Sequence, residues 1–331
     1  MAVTLKDIAK KAGVTPATVS MVINNKPNIS EVTREKVLAI AKQMSYYPNA
    51  IARGLATSKT NAIGVIVPNL ASAYVIRILQ GIKSTNRDID YTVQLFDTVG
   101  QKEHEYELFN RLVMEKRIDG AILIDGSGTD EEMKAFKNED VPCISVARKS
   151  NYLDSVFVNN VQGAADATDY LISKGHQAIA CVICRKTNLP TDDRLKGFRD
   201  ALNYNDISYR EELLFEVESD TMLDGEKLFA QIKKLATMPT AIFVPAGDMV
   251  AIGVIKAAKK SGLSIPKDLA VIGFDDLPAA EVVEPALTTI RQPKLEMGDH
   301  AIGLITDKME GKITKISSVE LLTKLIIRES A

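Results

Sequence analysis

Apolar residues recur at helical spacing in three short stretches at the start of the chain, then give way to a different rhythm. Ile8, Ala9 and Ala12 line one face of a first helix, and Val19, Val22 and Ile23 line a second. Thr4, followed three residues later by Asp7, is a capping-box start for the first helix. Gly13 supplies the turn, and Thr15 caps the second helix with Pro16 in its first turn, where proline is tolerated. A third helix is expected after Ser30, carrying Val37, Leu38, Ile40 and Ala41 inward, so that the cluster ends near Met44. Pro48 blocks helix continuation from the residues before it. The segment from Asn49 to about Ala56 is short and contains Gly54, so as an isolated helix it would be unstable.

From Ala62 onward short Val- and Ile-rich runs alternate with helix-like segments. The runs are Ile63–Val67, Thr92–Phe96, Gly120–Ile124, Cys143–Val146, Val156–Val158, Ile179–Ile183, Ala241–Val244 and Ala270–Phe274. Between them, Ala73–Thr85, Glu103–Glu115, Gly163–Lys174, Arg194–Asn203, Gly225–Ala236 and Val250–Ser261 read as helices. This alternation predicts parallel sheets covered on both faces, and the length of the stretch predicts two of them. Cys181 and Cys184 form a C-x-x-C inside one apolar run. In a strand, residues three apart point to opposite faces, so a shared metal or an easy disulfide is excluded and buried thiols are expected there and at Cys143.

Charge sharpens the division. The chain of 331 residues carries 41 Lys/Arg and 43 Asp/Glu. Nine and three of these fall within residues 1–60, a net of +6 there, and the remaining 32 and 40 leave −8. A small basic module on an acidic body suits attraction of phosphates by the first part alone. The first two helices have the spacing of a helix-turn-helix, whose second helix enters the DNA major groove. No apolar run is long enough to span a bilayer and the N-terminus lacks a hydrophobic signal segment, so a cytoplasmic protein with no membrane partner is expected.

The residues Thr4-Leu5-Lys6-Asp7-Ile8-Ala9, Ala17-Thr18-Val19-Ser20 and Asn24 resemble the start of the LacI/GalR (lactose/galactose repressor) family of transcription regulators. The resemblance continues through Val32-Thr33-Arg34-Glu35-Lys36-Val37 and Tyr46-Tyr47-Pro48-Asn49-Ala50-Ile51-Ala52-Arg53-Gly54-Leu55. It returns at Gly175-His176, Arg194-Leu195-Lys196-Gly197-Phe198, Val271-Ile272-Gly273-Phe274-Asp275-Asp276 and Leu287-Thr288-Thr289-Ile290-Arg291-Gln292-Pro293. It implies an α/β fold class: an all-α helix-turn-helix headpiece with a hinge helix, then a type I periplasmic-binding-protein-like, two-lobed, doubly wound α/β domain. The expected divisions are a headpiece at 1–47, a hinge helix and linker at 48–60, and an effector-binding and dimerisation domain at 61–331. Within the last, the N-lobe is expected at about 61–160 and 291–318, and the C-lobe at about 161–290 and 319–331. Chain crossings are expected near Asn160, Leu287–Gln292 and Ser317–Glu320.

For function, the resemblance implies a repressor that binds a near-palindromic double-stranded DNA operator as a homodimer and senses a small molecule in the inter-lobe cleft. DNA-contacting positions carried over are Thr4, Leu5, Thr15, Pro16, Ala17, Thr18, Ser20, Met21, Asn24, Thr33 and Tyr46, with Asn49, Ala52 and Leu55 in the hinge. In the family a hinge leucine wedges into the minor groove, and such apolar wedges kink DNA. Met21 departs from the usual arginine, so guanine readout should be weakened in favour of apolar contact with thymine methyls.

In the cleft, Arg194, Asp275 and Gln292 match effector-gripping positions, and Tyr74, Arg148 and Gly247 fall in ligand-facing segments. Gly247 stands where an asparagine is usual and Ala147 where many sugar-binding members have aspartate. The effector is expected to be sugar-like, and Arg148 and Arg194 would also suit an anion such as a phosphorylated sugar. The chain ends soon after Ile327 without a heptad segment, so a dimer is expected rather than a tetramer built on one.

Other classes fare worse. Gly126-Ser127-Gly128 begins a dinucleotide fingerprint, but Glu131 stands at the third glycine position. His104, His176 and His300 have no evident nucleophile partner, and Asp275-Asp276 has no nearby His or Glu to complete a metal site. No enzyme activity, cofactor or metal is expected. A transport binding protein would need a signal segment and no DNA-binding head. A regulator of the same architecture controlled by a protein partner, such as a phosphoprotein, stays open.

Overall fold

The computed structural model describes residues 3–24, 26–46, 59–85, 91–126, 129–138, 140–184 and 190–331. The expected hinge positions Asn49, Ala52 and Leu55, and Ser127 and Gly128 of the glycine motif, lie outside them. The chain divides into two compact units, residues 1–60 and 61–331.

In the first unit, helix α1 (Leu5–Ala12) starts at a reciprocal cap. The Thr4 hydroxyl accepts from the Asp7 N–H, and the Asp7 carboxylate accepts from the Thr4 N–H at 2.9 Å. Those hydrogen bonds hold the Asp7 carboxyl below its usual range. Gly13 ends α1 at φ +70°, a left-handed conformation that costs glycine little. Helix α2 (Pro16–Ile23) is capped by the Thr15 hydroxyl, which accepts from the Thr18 N–H at 3.1 Å. Ser30 caps helix α3 (Glu31–Gln43). Ile8, Ala9, Ala12, Val19, Val22, Val37 and Ala41 make the shared core. Leu38, expected inward, is 46% exposed. Val37 and Ala41 sit one turn apart and fill the inner face, which leaves position 38 turned about 100° away.

The second unit holds two sheets. The first contains β1 (Ala62–Val67), β2 (Thr92–Asp97), β3 (Gly120–Ile124), β4 (Cys143–Val146), β5 (Asp154–Val158) and β11 (Ser318–Leu321), in the order β11-β5-β4-β3-β1-β2. The second contains β6 (Ile179–Cys184), β7 (Leu214–Val217), β8 (Ala241–Phe243), β9 (Ala270–Asp275), β10 (Thr288–Arg291) and β12 (Lys324–Ile326), in the order β12-β10-β9-β8-β6-β7. Pairing is parallel throughout except β12 against β10. Central strands are buried along their length, as two-sided helical cover requires.

Helices α4 (Ala73–Thr85), α5 (Lys102–Met114), α6 (Asp130–Met133) and α12 (Lys294–Met309) serve the first sheet. Helices α7 (Asn160–Ser173), α8 (Thr191–Tyr204), α9 (Met222–Ile232), α10 (Asp248–Lys260) and α11 (Ala279–Val282) serve the second. The helix expected from Gly163 begins at Asn160, because the Asn159 side chain caps it by accepting from the Gln162 N–H at 2.9 Å.

The chain passes between sheets after Val158, after Arg291 and between Leu321 and Lys324. The last passage lies beyond the expected Ser317–Glu320, because Ser318–Leu321 pairs in register with Ser155–Val158 of the first sheet. Residues 319–321 therefore belong to the N-lobe, not the C-lobe. Cys181 packs with Leu171 and Phe198 on one face of β6, and Cys184 with Val182 and Leu228 on the other. The three cysteines are free and buried, and burial pushes the Cys143 thiol up to about 12.

Candidate functional site

Helix α2 turns its polar side outward. Thr15, Pro16, Ala17 and Asn24 are exposed, Thr18 and Ser20 are half-buried, and Met21 is 47% exposed, so Met21 is not a core residue. The Thr15 and Thr18 hydroxyls lie 2.9 Å apart. The Asn24 side-chain amide donates to the Ser20 carbonyl at 2.9 Å, which finishes the helix with a polar group. Thr4 is exposed beside Asp7, whereas Leu5 and Tyr46 pack against the three-helix core. Thr33 is half-buried, its hydroxyl 2.8 Å from that of Ser30. Lys6, Lys10, Lys11, Lys26 and Lys36 are exposed on this unit, and Arg34 braces the turn by donating to the Lys26 carbonyl at 2.8 Å. An exposed methionine on a helix that also carries short hydroxyl side chains, in a unit with exposed ammonium groups, suits a polyanion with apolar features between its charges.

In the second unit, polar and charged side chains gather at the carboxyl ends of the strands. Parallel pairing sets Arg291 beside Asp275, so Asp275, Asp276 and Gln292 share one rim. Asp275 has φ +120° and Asp276 φ +54°, conformations that non-glycine residues rarely adopt. The Gln292 amide donates to Asp275 Oδ1 at 2.6 Å, and its oxygen accepts from the Tyr74 hydroxyl at 3.2 Å. Tyr74, from α4, is buried. Arg194 is 1% exposed and its guanidinium carbon lies 3.8 Å from the Phe274 ring centroid. It donates to the Asn160 side-chain oxygen at 2.9 Å and to the Pro245 carbonyl at 2.7 Å, while its Nη2 stands 3.9 Å from Asp275 Oδ1. That last distance is an ion pair, not a hydrogen bond. Lys294, buried at the start of α12, donates to the Asp275 carbonyl.

These groups shift one another. Burial raises the Asp275 carboxyl and Arg194 opposes it. Burial, then the charges of Asp125 and Asp275, drives the Tyr74 phenol well up. Burial lowers Lys294, opposed by Asp275. Asp248, just past Gly247, is pushed up to about 8 by burial and the nearby Asp275 charge. It accepts from the Thr289 hydroxyl at 2.6 Å and the Leu277 N–H at 2.7 Å. A side-chain carbon on Gly247 would meet Asp275 Oδ2 at 3.3 Å, so the missing asparagine leaves room for that carboxylate. Asp276 pairs with other arginines, held below its usual range, against burial, by Arg291 at 2.6 Å and Arg328 at 2.7 Å.

Tyr74, Arg194, Gly247, Asp275 and Gln292 are thus brought together. Arg148 is not. Its charge acts on Asp130, which accepts from Ser150 and Asn151 beyond β4. Asn160, Lys294 and Asp125 were missed by sequence reasoning. Asp125 follows a strand directly, and the rule that open α/β sheets bind ligands beyond their strand carboxyl ends was the available signal.

No helix among the described residues is long and apolar enough to cross a membrane. Residues 4–49 match the bacterial regulatory proteins of the lacI family, and residues 168–331 match the periplasmic binding protein-like domain. The chain is 35% identical to catabolite control protein A of Priestia megaterium over 338 aligned positions, covering 100% of this chain and 99% of that protein. It is 33% identical to the transcriptional repressor PurR of Vibrio parahaemolyticus over 334 positions, covering 99% and 98%. The lac repressor dimer bound to operator and the anti-inducer ONPF superposes with a TM-score of 0.89 at 28% identity, covering 100% of this chain and 99% of that one. The regulator CelR in complex with cellobiose superposes at 0.73 with 27% identity, covering 99% and 100%. Relatives of this length are transcription regulators, not enzymes, and the chain belongs to the LacI family of bacterial transcription regulators.

Proposed function

We propose that the protein is a repressor that binds a near-palindromic operator as a homodimer in the cytoplasm, released or recruited by a small polar metabolite held between its lobes. The observation that carries the DNA half is the outward face of α2, with Thr15, Pro16, Ala17 and Met21 exposed in a unit, residues 1–60, of net charge +6. Pro16, Ala17 and Met21 meet base edges, with thymine methyls against Met21, while Thr4, Leu5, Thr15, Thr18, Ser20, Asn24, Thr33 and Tyr46 set the register on phosphates and sugars. Asn49, Ala52 and Leu55 form the hinge, with Leu55 as the minor-groove wedge.

The sensing half rests on the Tyr74–Gln292–Asp275–Arg194 cluster, which draws residues from both lobes into one site. A ligand that changes how those residues pair shifts the lobes, and DNA must change ligand affinity by the same factor. Selection of bound sequences from randomised duplexes, repeated with metabolite pools, tests both halves. A two-fold-related consensus whose recovery changes with a metabolite is the expected outcome. Binding that ignores Ala17 and Leu55 substitutions would remove the headpiece assignment.

A further inference from the structure

Helix α2 reads Pro16-Ala17-Thr18-Val19-Ser20-Met21-Val22-Ile23 and carries no charged side chain. Val19 and Val22 are buried in the three-helix core, which leaves Pro16, Ala17 and Met21 as the exposed side chains of the helix. Met21 is the largest of them, so a change of polarity there is the largest change this face can undergo. Among the described residues one other methionine is exposed, Met114 at the end of α5 in the second unit, at 84%. Met133 and Met297 are buried, and the other described methionines are half-buried. The thiols are poor targets for the same chemistry. All three cysteines are buried, and burial pushes Cys143 up to about 12 and raises Cys181 too, so neither holds a reactive thiolate at neutral pH.

We infer that Met21 is an oxidation site within the DNA-reading face: a peroxide converts its thioether to the sulfoxide, and the operator preference of the protein changes with it. The inference rests on the operator reading above and adds a means of regulating that site. In the step, a sulfur lone pair attacks one peroxide oxygen, and the O–O bond breaks as the S–O bond forms. Sulfur is oxidised by two electrons and the peroxide is reduced; the departing hydroxide takes the proton of the new S–OH group and leaves as water. The sulfoxide is polar, with an acceptor oxygen and no donor. Against a thymine methyl that oxygen is desolvated without a partner, whereas adenine and cytosine present amino groups to it in the major groove. No charged side chain on α2 offsets the change. One lost base contact corresponds to about fivefold or more in affinity, and a homodimer loses it in both half-sites.

The test uses the full-length protein and the duplex that the untreated chain selects from a random pool. Hydrogen peroxide is added to the wild type, Met21→Leu and Met114→Leu. Peptide masses give the sulfoxide at each position, and titrations give operator affinity. Leucine keeps an apolar side chain of similar volume and has no sulfur to oxidise.

Treated wild type and treated Met114→Leu should bind about fivefold or more weakly, in proportion to the sulfoxide at position 21, and methionine sulfoxide reductase should restore both. Met21→Leu should keep its affinity through the treatment. Bound operator should slow the oxidation of Met21 and leave that of Met114 unchanged. Selection repeated with oxidised Met114→Leu should replace thymine at the contacted position by adenine or cytosine. Full affinity with Met21 oxidised, a loss that persists in Met21→Leu, or oxidation of Met21 at the same rate on operator would each overturn the inference while operator binding stands. Should Met21→Leu not bind at all, the sulfoxide titration and its reversal in Met114→Leu decide the matter. Failure of the untreated chain to select any duplex would sink the operator reading and the inference together.

Discussion

Gln292 donates to Asp275 across 2.6 Å, and the choice of which amide end faces the carboxylate is forced, because an oxygen there would oppose an acceptor. The same amide turns its oxygen to the Tyr74 hydroxyl at 3.2 Å. One side chain thus joins a residue of the first sheet's helix α4 to the rim of the second sheet. Gln292→Ala strips a buried carboxylate of its shortest side-chain donor and should cost about 1–3 kcal/mol, whereas Tyr74→Phe removes the longer bond and should cost about 1 kcal/mol. Urea melts of the two variants check the order. A larger loss for Tyr74→Phe would mean that the amide is not the connector.

Asp248 gives stability a pH dependence of a specific sign. Its carboxyl is pushed up to about 8 in the folded chain, from an ordinary value near 4 when unfolded. A group raised by folding contributes stability that is complete below its unfolded value and is lost as pH rises through its folded one. Asp125, pushed up to about 7, acts in the same direction. Stability should therefore decline between pH 4 and pH 8, by a few kcal/mol on the order-of-magnitude scale of such shifts. Asp248→Asn keeps an acceptor for the Leu277 N–H and gains a donor for the Thr289 hydroxyl. It should match the wild type at pH 5 and exceed it at pH 8 in chemical melts. Equal destabilisation at both pH values would show that the carboxylate itself is needed.

Helices α4 and α12 approach so closely that a side-chain carbon at Gly81 would lie 2.1 Å from the Leu295 carbonyl oxygen, and one at Gly298 2.1 Å from that of Ile78. Backbone atoms cannot yield as a flexible side chain can. Gly81→Ala and Gly298→Ala should each lose at least about 3 kcal/mol, at or beyond the upper range for overpacking. The two losses should be less than additive in the double variant, since a single separation of the helices relieves both clashes. Strict additivity in thermal melts would mean that the contacts yield independently.

Much of this fold could be read from the chain, and the failures have physical causes. The alternation after Ala62 announced parallel sheets, because buried parallel strands are continuous apolar runs. Ser318–Leu321 and Lys324–Ile326 escaped because edge strands keep polar residues and lose the signal, and none of their positions is fully buried. The face of α2 followed from helical period, but Leu38 did not, since several apolar residues competed for one stripe and only the packing decided. In the cleft, Arg194, Asp275 and Gln292 were legible through resemblance. Arg148 and Asp125 were not, because which way a loop side chain leans past a strand end is a tertiary fact.

Met21 offers the sharpest test of the DNA-reading surface. Met21 is 47% exposed in the last turn of α2, between Ala17 one turn before and the C-cap Asn24. A methionine carries no donor, so it cannot distinguish guanine through O6 and N7, whereas an arginine there could grip both. Met21→Arg should therefore shift the selected operator toward guanine at the contacted position, with a discrimination of about 1–3 kcal/mol. Because an added cation also releases counterions, the salt slope of binding should steepen by about 0.9 for each protomer that reaches a phosphate instead of a base. The two effects separate the outcomes. A guanine preference with an unchanged salt slope places position 21 at a base edge, and a steeper slope with no change in consensus places it on the backbone. An unaltered consensus with an unaltered slope would remove α2 from the groove.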